Sequence, residues 1–157
     1  MYLFSCYTGL RFSDVIEVRK ENLQIIDGNT WLIQGMKKSQ INNDTTTQQI
    51  VRLPIYQLFN GKPLEILQKY ESDKKYYFDD YTNQFVNRTL KEIAGFAKVT
   101  KKLTFHTARH TQATYLLYKG VNITTVQKIL GHKKLATTQI YSKVMDITIV
   151  NDLQGKF

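Results

Sequence analysis

The sequence has few cysteines, which cross-link small folds, and few prolines and glycines, which interrupt helices and strands. It contains one cysteine, two prolines and eight glycines in 157 residues. A lone cysteine excludes an internal disulfide, and Cys6 lies in an apolar run, as a buried hydrophobe would. The few prolines and glycines argue against a disordered chain. No apolar run reaches the roughly 18 residues of a membrane span, and the first residues lack the charged start and cleavage site of a signal peptide. We therefore expect a folded, cytoplasmic protein with no membrane partner.

Acidic residues are also scarce, with 13 Asp and Glu against 22 Lys and Arg, for a formal net charge of +9. The tight acidic groupings are Asp79 with Asp80 and Asp14 with Glu17, whereas metal-dependent nucleases need clustered carboxylates. The basic surplus favours a polyanionic partner such as nucleic acid, although a generally solubilised surface would give the same count. Charge alone leaves both interpretations open.

The length predicts one domain with a single core. Apolar runs at residues 23–26 and 31–33 flank Asp27-Gly28-Asn29, which is typical of a β-hairpin because glycine and asparagine tolerate positive φ. A third strand is predicted at residues 50–53, where Pro54 ends it. We expect a mainly α fold with a small three-stranded antiparallel β-sheet in the first third of the chain.

Helical patterns account for the opening residues and for most of the chain after the third strand. Ser13 is predicted to cap a short helix that runs on through Val18, and Thr124 and Gln127 have the spacing of a capping box. Three glycines are placed to end helices: Gly9, Gly120 and Gly131. This pattern places the residues discussed next at helix ends and joints.

Several residues in the chain suit phosphodiester chemistry. Arginines clamp phosphate with a fork of donors, imidazoles exchange protons near neutral pH, and a phenol can attack phosphorus. Since a tyrosine has a pKa of about 10, it needs a base or positive surroundings, which the histidines offer. The bond energy would stay in a protein–DNA link, so the strand could be rejoined. The candidates are Arg11, His106, Arg109, His132 and Tyr141.

The polar segment 37–48 between the second and third strands is too long for a tight turn and is predicted to be an extended loop. It carries Lys37 and Lys38. A lysine on such a loop could protonate the 5′ oxygen that leaves when a strand is cut, and we predict Lys38 as this general acid, with Lys37 as the alternative. A surface loop without a catalytic role is the other interpretation.

Taken singly, these residues also have ordinary explanations. His132 would suit the carboxyl end of a helix as a cap, and Tyr141 would suit a core. Ile140 and Val144, four residues apart, are predicted to pack inward and to turn Tyr141 in another direction.

Two neighbours of the candidate site have their own alternatives. His106 and His110 have the spacing of two zinc ligands, but the glutamate of metalloproteases is absent and Arg109 adds positive charge. We therefore expect His110 to support the fold or to orient a catalytic neighbour, and Asp14 to brace Arg11.

Four segments together resemble the motifs of the tyrosine recombinases, or phage-type integrases. They are Thr8-Gly9-Leu10-Arg11-Phe12-Ser13-Asp14, His106-Thr107-Ala108-Arg109-His110-Thr111, Leu130-Gly131-His132 and Thr138-Gln139-Ile140-Tyr141. Each short string recurs by chance, so the signal lies in their order and spacing over nearly the whole chain. The resemblance implies a catalytic domain that forms a transient 3′-phosphotyrosine without metal or cofactor. It implies catalytic roles for Arg11, Lys38, His106, Arg109, His132 and Tyr141.

The same resemblance implies double-stranded DNA as the partner, a monomer in isolation and a homo-tetramer on DNA, and integration and excision of a mobile element as the purpose. Residues 1–157 would be a single catalytic domain that lacks the family's amino-terminal DNA-clamping domain. The apolar tail 145–157 is expected to dock on a neighbouring subunit, with packing on its own domain as the alternative.

The sequence departs from the family pattern at Ala108, where leucine is usual, and in the length of the loop 39–48. Two other functions fit the same fold. One is a DNA-binding accessory protein that does not cut, and the other is a type IB topoisomerase that relaxes DNA without exchanging strands.

Overall fold

A computed structural model describes residues 1–36, 49–78, 81–142 and 154. The predictions for Lys37, Lys38 and the tail 145–157 therefore fall outside the described residues, apart from residue 154. Within these ranges the helices are α1 (Tyr2–Thr8), α2 (Phe12–Val15), α3 (Lys62–Lys69), α4 (Asn83–Phe96), α5 (Phe105–Tyr118), α6 (Ile123–Leu130) and α7 (Ala136–Gln139), with 3₁₀ turns at Lys20–Asn22 and Leu58–Gly61. None of these helices has both the length and the apolar character needed to cross a membrane.

The β-sheet is antiparallel and three-stranded, as predicted, with β2 (Asn29–Gly35) between β1 (Leu23–Ile26) and β3 (Ile50–Leu53). The turn between β1 and β2 has φ of 50° at Asp27 and 75° at Gly28. Positive φ at both central residues is what a two-residue hairpin that follows the strand twist requires. The mainly α fold class with a small sheet is thus confirmed.

Helix ends were predicted better than helix starts. Gly9, Gly120 and Gly131 all have positive φ, between 62° and 76°, just beyond α1, α5 and α6. The predicted cap at Ser13 is wrong, because α2 begins at Phe12, directly after an extended residue, and ends at Val15.

The capping box predicted at the start of α6 is wrong as well. The cap is Asn122, whose Oδ1 accepts the N–H of Thr124 at 2.9 Å. An asparagine in this position satisfies a first-turn N–H directly, so Thr124 and Gln127 lie inside the helix.

Buried apolar side chains form two clusters. The large core combines α1, the sheet and α3, and the small core lies between α5 and α6. The large core contains Phe4, Leu10, Val15, Val18, Leu32, Met36, Val51, Leu53, Ile55, Leu58, Leu67, Phe78, Leu90 and Phe105. The small core contains Ala113, Leu116, Leu117, Val126, Leu130 and Tyr141.

Gly9 lies at the seam between the two cores. A Cβ atom added to it would lie 2.5 Å from Oε1 of Gln112 and 2.9 Å from Cδ2 of Leu130. Both distances are too short for a side chain, and the φ of 71° also favours glycine. Glycine therefore lets α1 end directly against α5 and α6.

Candidate active site

Arg109 connects three helices from a buried position. On α5 it is 2% exposed, and its Nη1 donates to the carbonyl oxygen of Gly9 at 2.7 Å while its Nη2 donates to the carbonyl oxygen of Leu130. These carbonyls lie at the ends of α1 and α6, where no further turn of helix supplies a donor. The guanidinium thus holds both helix ends against α5.

The charge of Arg109 persists despite its burial. Burial and the charge of Arg11 lower its pKa to about 10, while Tyr141 and Asp14 act in the opposite direction. At pH 7 the guanidinium therefore remains protonated. Asp14, which was predicted to brace Arg11, is itself buried; its contact with Arg11 stays a prediction.

Arg11 lies at the joint between α1 and α2, as the sequence predicted. It is half-buried and lines an open cleft together with His106 and Arg109. Asn83 and Asn87 of α4 line the same cleft. Two guanidinium groups therefore border one opening, an arrangement that suits a phosphate.

Asn87 was missed by the sequence analysis. Its Oδ1 accepts the N–H of Phe105 at 2.7 Å, and its Nδ2 donates to the carbonyl oxygen and Oδ1 of Asn83, both at 2.8 Å. Phe105 is the first residue of α5 and directly precedes His106. Asn87 thereby fastens the start of α5 to α4, across 18 residues of sequence that give no local signal of the contact.

His106 and His110 lie one turn apart on α5, with ring centroids 4.4 Å apart and ring planes at 89°. The ring of His110 also lies 5.3 Å from that of Tyr141. Burial is the main cause that lowers the pKa of His106, followed by the charges of His110, Arg109 and Arg11. These causes favour the neutral form of His106, and the ring of His110 contacts the rings of both His106 and Tyr141.

His132 emerges directly after Gly131, as predicted, and is buried. Its Nδ1 lies 2.9 Å from Oγ1 of Thr138, a contact that the sequence analysis also missed. Burial lowers the pKa of His132 to about 4, with further lowering by Arg109, Arg11 and His106. The imidazole is therefore uncharged at pH 7 and can exchange a proton.

Tyr141 belongs to the small core and is 7% exposed. Its ring is nearly parallel to that of His132, with centroids 6.5 Å apart and planes at 7°. Burial raises the pKa of the phenol, while the charges of Arg109 and Arg11 lower it. The two arginines thus favour the phenolate form that burial disfavours.

The prediction that Ile140 packs inward is wrong. Ile140 is 54% exposed, and the buried residue is Tyr141. The N–H of Tyr141 bonds to the carbonyl of Thr138 at 3.1 Å, a tight turn beyond α7 that brings the tyrosine side chain inward. Val144, the other half of that prediction, lies outside the described residues.

The structure brings five of the six predicted site residues into one region: Arg11, His106 and Arg109 line one cleft, and ring contacts through His110 connect His106 to Tyr141 and His132. Lys38 lies outside the described residues. Among those residues no group of three or more His, Cys, Asp or Glu could hold a metal ion. The region offers two permanent positive charges, neutral imidazoles and a phenol.

Comparison with known proteins identifies the family that the sequence motifs resemble. The phage integrase family model matches residues 1–146. A tyrosine recombinase of Thermosipho africanus is 35% identical over 147 residues, which cover 89% of this chain and 47% of the relative. The chain spans about half the length of the curated relatives it matches.

Solved structures share the fold. The Tn1549 transposon integrase in complex with transposon right end DNA has a TM-score of 0.67 at 16% identity, over 98% of this chain and 56% of that one. The catalytic domain of bacteriophage HP1 integrase has a TM-score of 0.64 at 17% identity, over 98% and 80%. With the family model matching all but the last residues, the chain belongs to the phage integrase family.

Proposed function

We propose that this chain forms the catalytic domain of a site-specific tyrosine recombinase, which cuts and rejoins double-stranded DNA through Tyr141. The observation that carries the proposal is that Arg11, Arg109 and His106 line one cleft, while ring contacts connect His106 through His110 to Tyr141 and Tyr141 to His132. A buried arginine and a half-buried arginine near a buried phenol are the kind of surroundings that shift ionisation at functional sites.

In the proposed reaction, Oη of Tyr141 forms a bond to the phosphorus of the scissile phosphodiester, and the bond from phosphorus to the 5′ oxygen breaks. The products are a 3′-phosphotyrosine and a 5′ hydroxyl. A neutral imidazole takes the phenol proton, and the 5′ oxygen receives a proton from a general acid, for which Lys38 remains the prediction and Lys37 the alternative. Reversal with the 5′ hydroxyl of another strand completes the exchange.

The proposal includes cleavage without metal, because Arg11 and Arg109 supply the positive charge that the non-bridging phosphate oxygens need in the transition state. Guanidinium groups present two parallel donors to a phosphate and stay charged at any working pH. Arg109 is held by two backbone carbonyls, so its position costs no rearrangement when DNA binds.

Double-stranded DNA as the partner is supported by the net charge of +9 and by the DNA complex of the Tn1549 integrase. We extend the proposal to a homo-tetramer on DNA, a monomer in isolation, and integration and excision of a mobile element. Exchange of the tail 145–157 between subunits is part of this assembly proposal.

The proposal is tested by trapping the covalent intermediate on a pool of nicked duplexes with a randomised central sequence, in buffer containing EDTA. After digestion with trypsin, the nucleotide should be attached to the peptide 135–143, in which Tyr141 is the single tyrosine. Adduct formation in EDTA supports chemistry without metal.

Tyr141→Phe should abolish the adduct, while the control Tyr118→Phe, at an exposed position on α5, should retain it. An adduct on another side chain would overturn the assignment of the nucleophile. DNA binding without any adduct would favour the non-cutting accessory protein, and relaxation of plasmids that lack a specific site would favour a type IB topoisomerase.

A further inference from the structure

Thr138 contacts both members of the histidine–tyrosine pair in the site. Its side chain is fully buried, and its Oγ1 lies 2.9 Å from Nδ1 of His132. Its backbone carbonyl accepts the N–H of Tyr141 at 3.1 Å. One residue therefore fixes the imidazole through its side chain and the candidate nucleophile through its backbone.

The backbone of His132 is held independently of its ring. Its N–H donates to the carbonyl of Gln127 at 3.0 Å, and its own carbonyl accepts Nε2 of Gln127 at 3.0 Å. These bonds place the residue but leave rotation of the imidazole open. Among the described residues, the bond to Thr138 is the polar contact that sets the ring.

The direction of this hydrogen bond follows from what the hydroxyl can reach. The Thr138 hydroxyl is buried and makes no other hydrogen bond in the described part of the chain. A buried hydroxyl that keeps its proton unused loses free energy, so the O–H donates to Nδ1 of His132. A neutral imidazole that accepts at Nδ1 carries its proton at Nε2.

We propose that Thr138 is a positioning residue for strand cleavage, which orients His132 beside Tyr141 and fixes its proton on Nε2. This inference rests on the proposed function. With its proton on Nε2 and its Nδ1 occupied by the Thr138 hydroxyl, His132 then donates a hydrogen bond to the scissile phosphate and does not accept the phenol proton.

Histidine NMR tests the inference on the protein without DNA. The chain has three histidines, so ¹⁵N labelling of histidine gives a spectrum with three rings, and His132 is identified by its loss in His132→Gln. The expected result is an unprotonated Nδ1 and a protonated Nε2 on His132 at pH 7. Protonation at Nδ1 would overturn the inference without any variant of Thr138.

Thr138→Val removes the hydroxyl and keeps the shape of the side chain. Because the hydroxyl stabilises the neutral imidazole, the variant should raise the pKa of His132 by about half a unit or more. The charges of Arg109, Arg11 and His106, which also act on this pKa, remain in the variant. Thr138→Ser, which restores a hydroxyl, should return the pKa to its original value.

Adduct formation on nicked DNA should slow about tenfold in Thr138→Val with DNA affinity unchanged, and Thr138→Ser should recover the rate. Thr137→Val is the matched control, since Thr137 is the exposed neighbour on α7 and should affect neither measurement. An unchanged rate and pKa in Thr138→Val would overturn the inference. Absence of any Tyr141 adduct in the unmodified chain is a failure of the proposed function, which the NMR result distinguishes from a failure of the Thr138 contact.

Discussion

The two cores differ in what they bury. The large core of α1, the sheet and α3 buries apolar side chains, and none of the candidate catalytic residues that the structure describes belongs to it. The small core between α5 and α6 includes Tyr141, with His132 and Arg109 buried beside it. The large core can therefore be optimised for packing alone, whereas the small core couples packing to ionisation. Substitutions in the two cores should separate these properties.

The largest effect on stability is expected in the large core. Phe4 is fully buried and its ring lies 5.3 Å from that of Phe78. Phe4→Ala should lower the free energy of unfolding by about 3–5 kcal/mol, because it leaves a cavity as well as losing burial. Urea denaturation measures this loss, and Phe96→Ala is the control, since Phe96 is 89% exposed and should change stability little.

The distinction between the two cores would not hold if Phe4→Ala also changed the pKa of His132. In the folded fraction of Phe4→Ala, the pKa of His132 measured by NMR should stay at its original value. A change of a full unit would show that the large core also controls the charge state of the catalytic region.

A smaller effect is expected from pH, through the small core. His132 has a pKa of about 4 in the folded chain, against about 6.5 for an unfolded histidine. Its contribution to stability is therefore complete above pH 6.5 and is lost as pH falls toward 4, because the unfolded chain takes up the proton first. The loss is at most about 3 kcal/mol.

Urea denaturation of the unmodified chain and of His132→Gln between pH 7 and 4 measures this contribution. The difference in free energy of unfolding between the two should shrink as pH falls. His106→Gln is a useful comparison, because the pKa of His106 is lowered in the same direction. Parallel pH curves for the unmodified chain and His132→Gln would contradict the coupling of packing to ionisation in the small core.

The smallest effect concerns the seam between the cores. Gly9 and Gly28 have similar positive φ, 71° and 75°, but nothing lies within 4 Å of a Cβ added at Gly28. Gly28→Ala should cost about 1 kcal/mol for backbone strain alone. Gly9→Ala should cost about 1–2 kcal/mol more, since its methyl group meets Gln112 and Leu130.

Thermal unfolding of the two glycine variants measures this difference. Gly9→Ala should also slow adduct formation on nicked DNA, because the carbonyl of Gly9 holds Arg109, and Gly28→Ala should not. Equal stability losses would show that the seam adjusts to a methyl group and that the two cores are less tightly joined than the contacts suggest.

Local signals predicted much of the fold. The hairpin at Asp27 and Gly28 was confirmed because a two-residue turn depends on the φ angles of its own residues. The predicted caps at Ser13 and Thr124 were wrong, because several polar residues near a helix start can compete and the backbone decides among them. Prediction succeeded where one residue alone fixes the local conformation.

The site followed a similar division. The sequence predicted Arg11, His106, Arg109, His132 and Tyr141 as site residues, and the structure places them in one region, while their catalytic roles stay predictions. The sequence analysis did not predict the residues that position them through hydrogen bonds. The bonds from Asn87 to Phe105 and from Thr138 to His132 join ordinary residue types with no distinctive spacing, and only the packed helices show which atoms meet.

The sequence by itself determined the hairpin, the glycine helix ends and the set of reactive side chains, since each depends on a residue's own conformational range or chemistry. The tertiary structure decided which of Ile140 and Tyr141 is buried and which carbonyl oxygens accept hydrogen bonds from Arg109. The bond from Arg109 to Gly9 spans 100 residues. A contact over such a separation forms only when packing brings helix ends together, so the charge state of the site is a property of the folded chain.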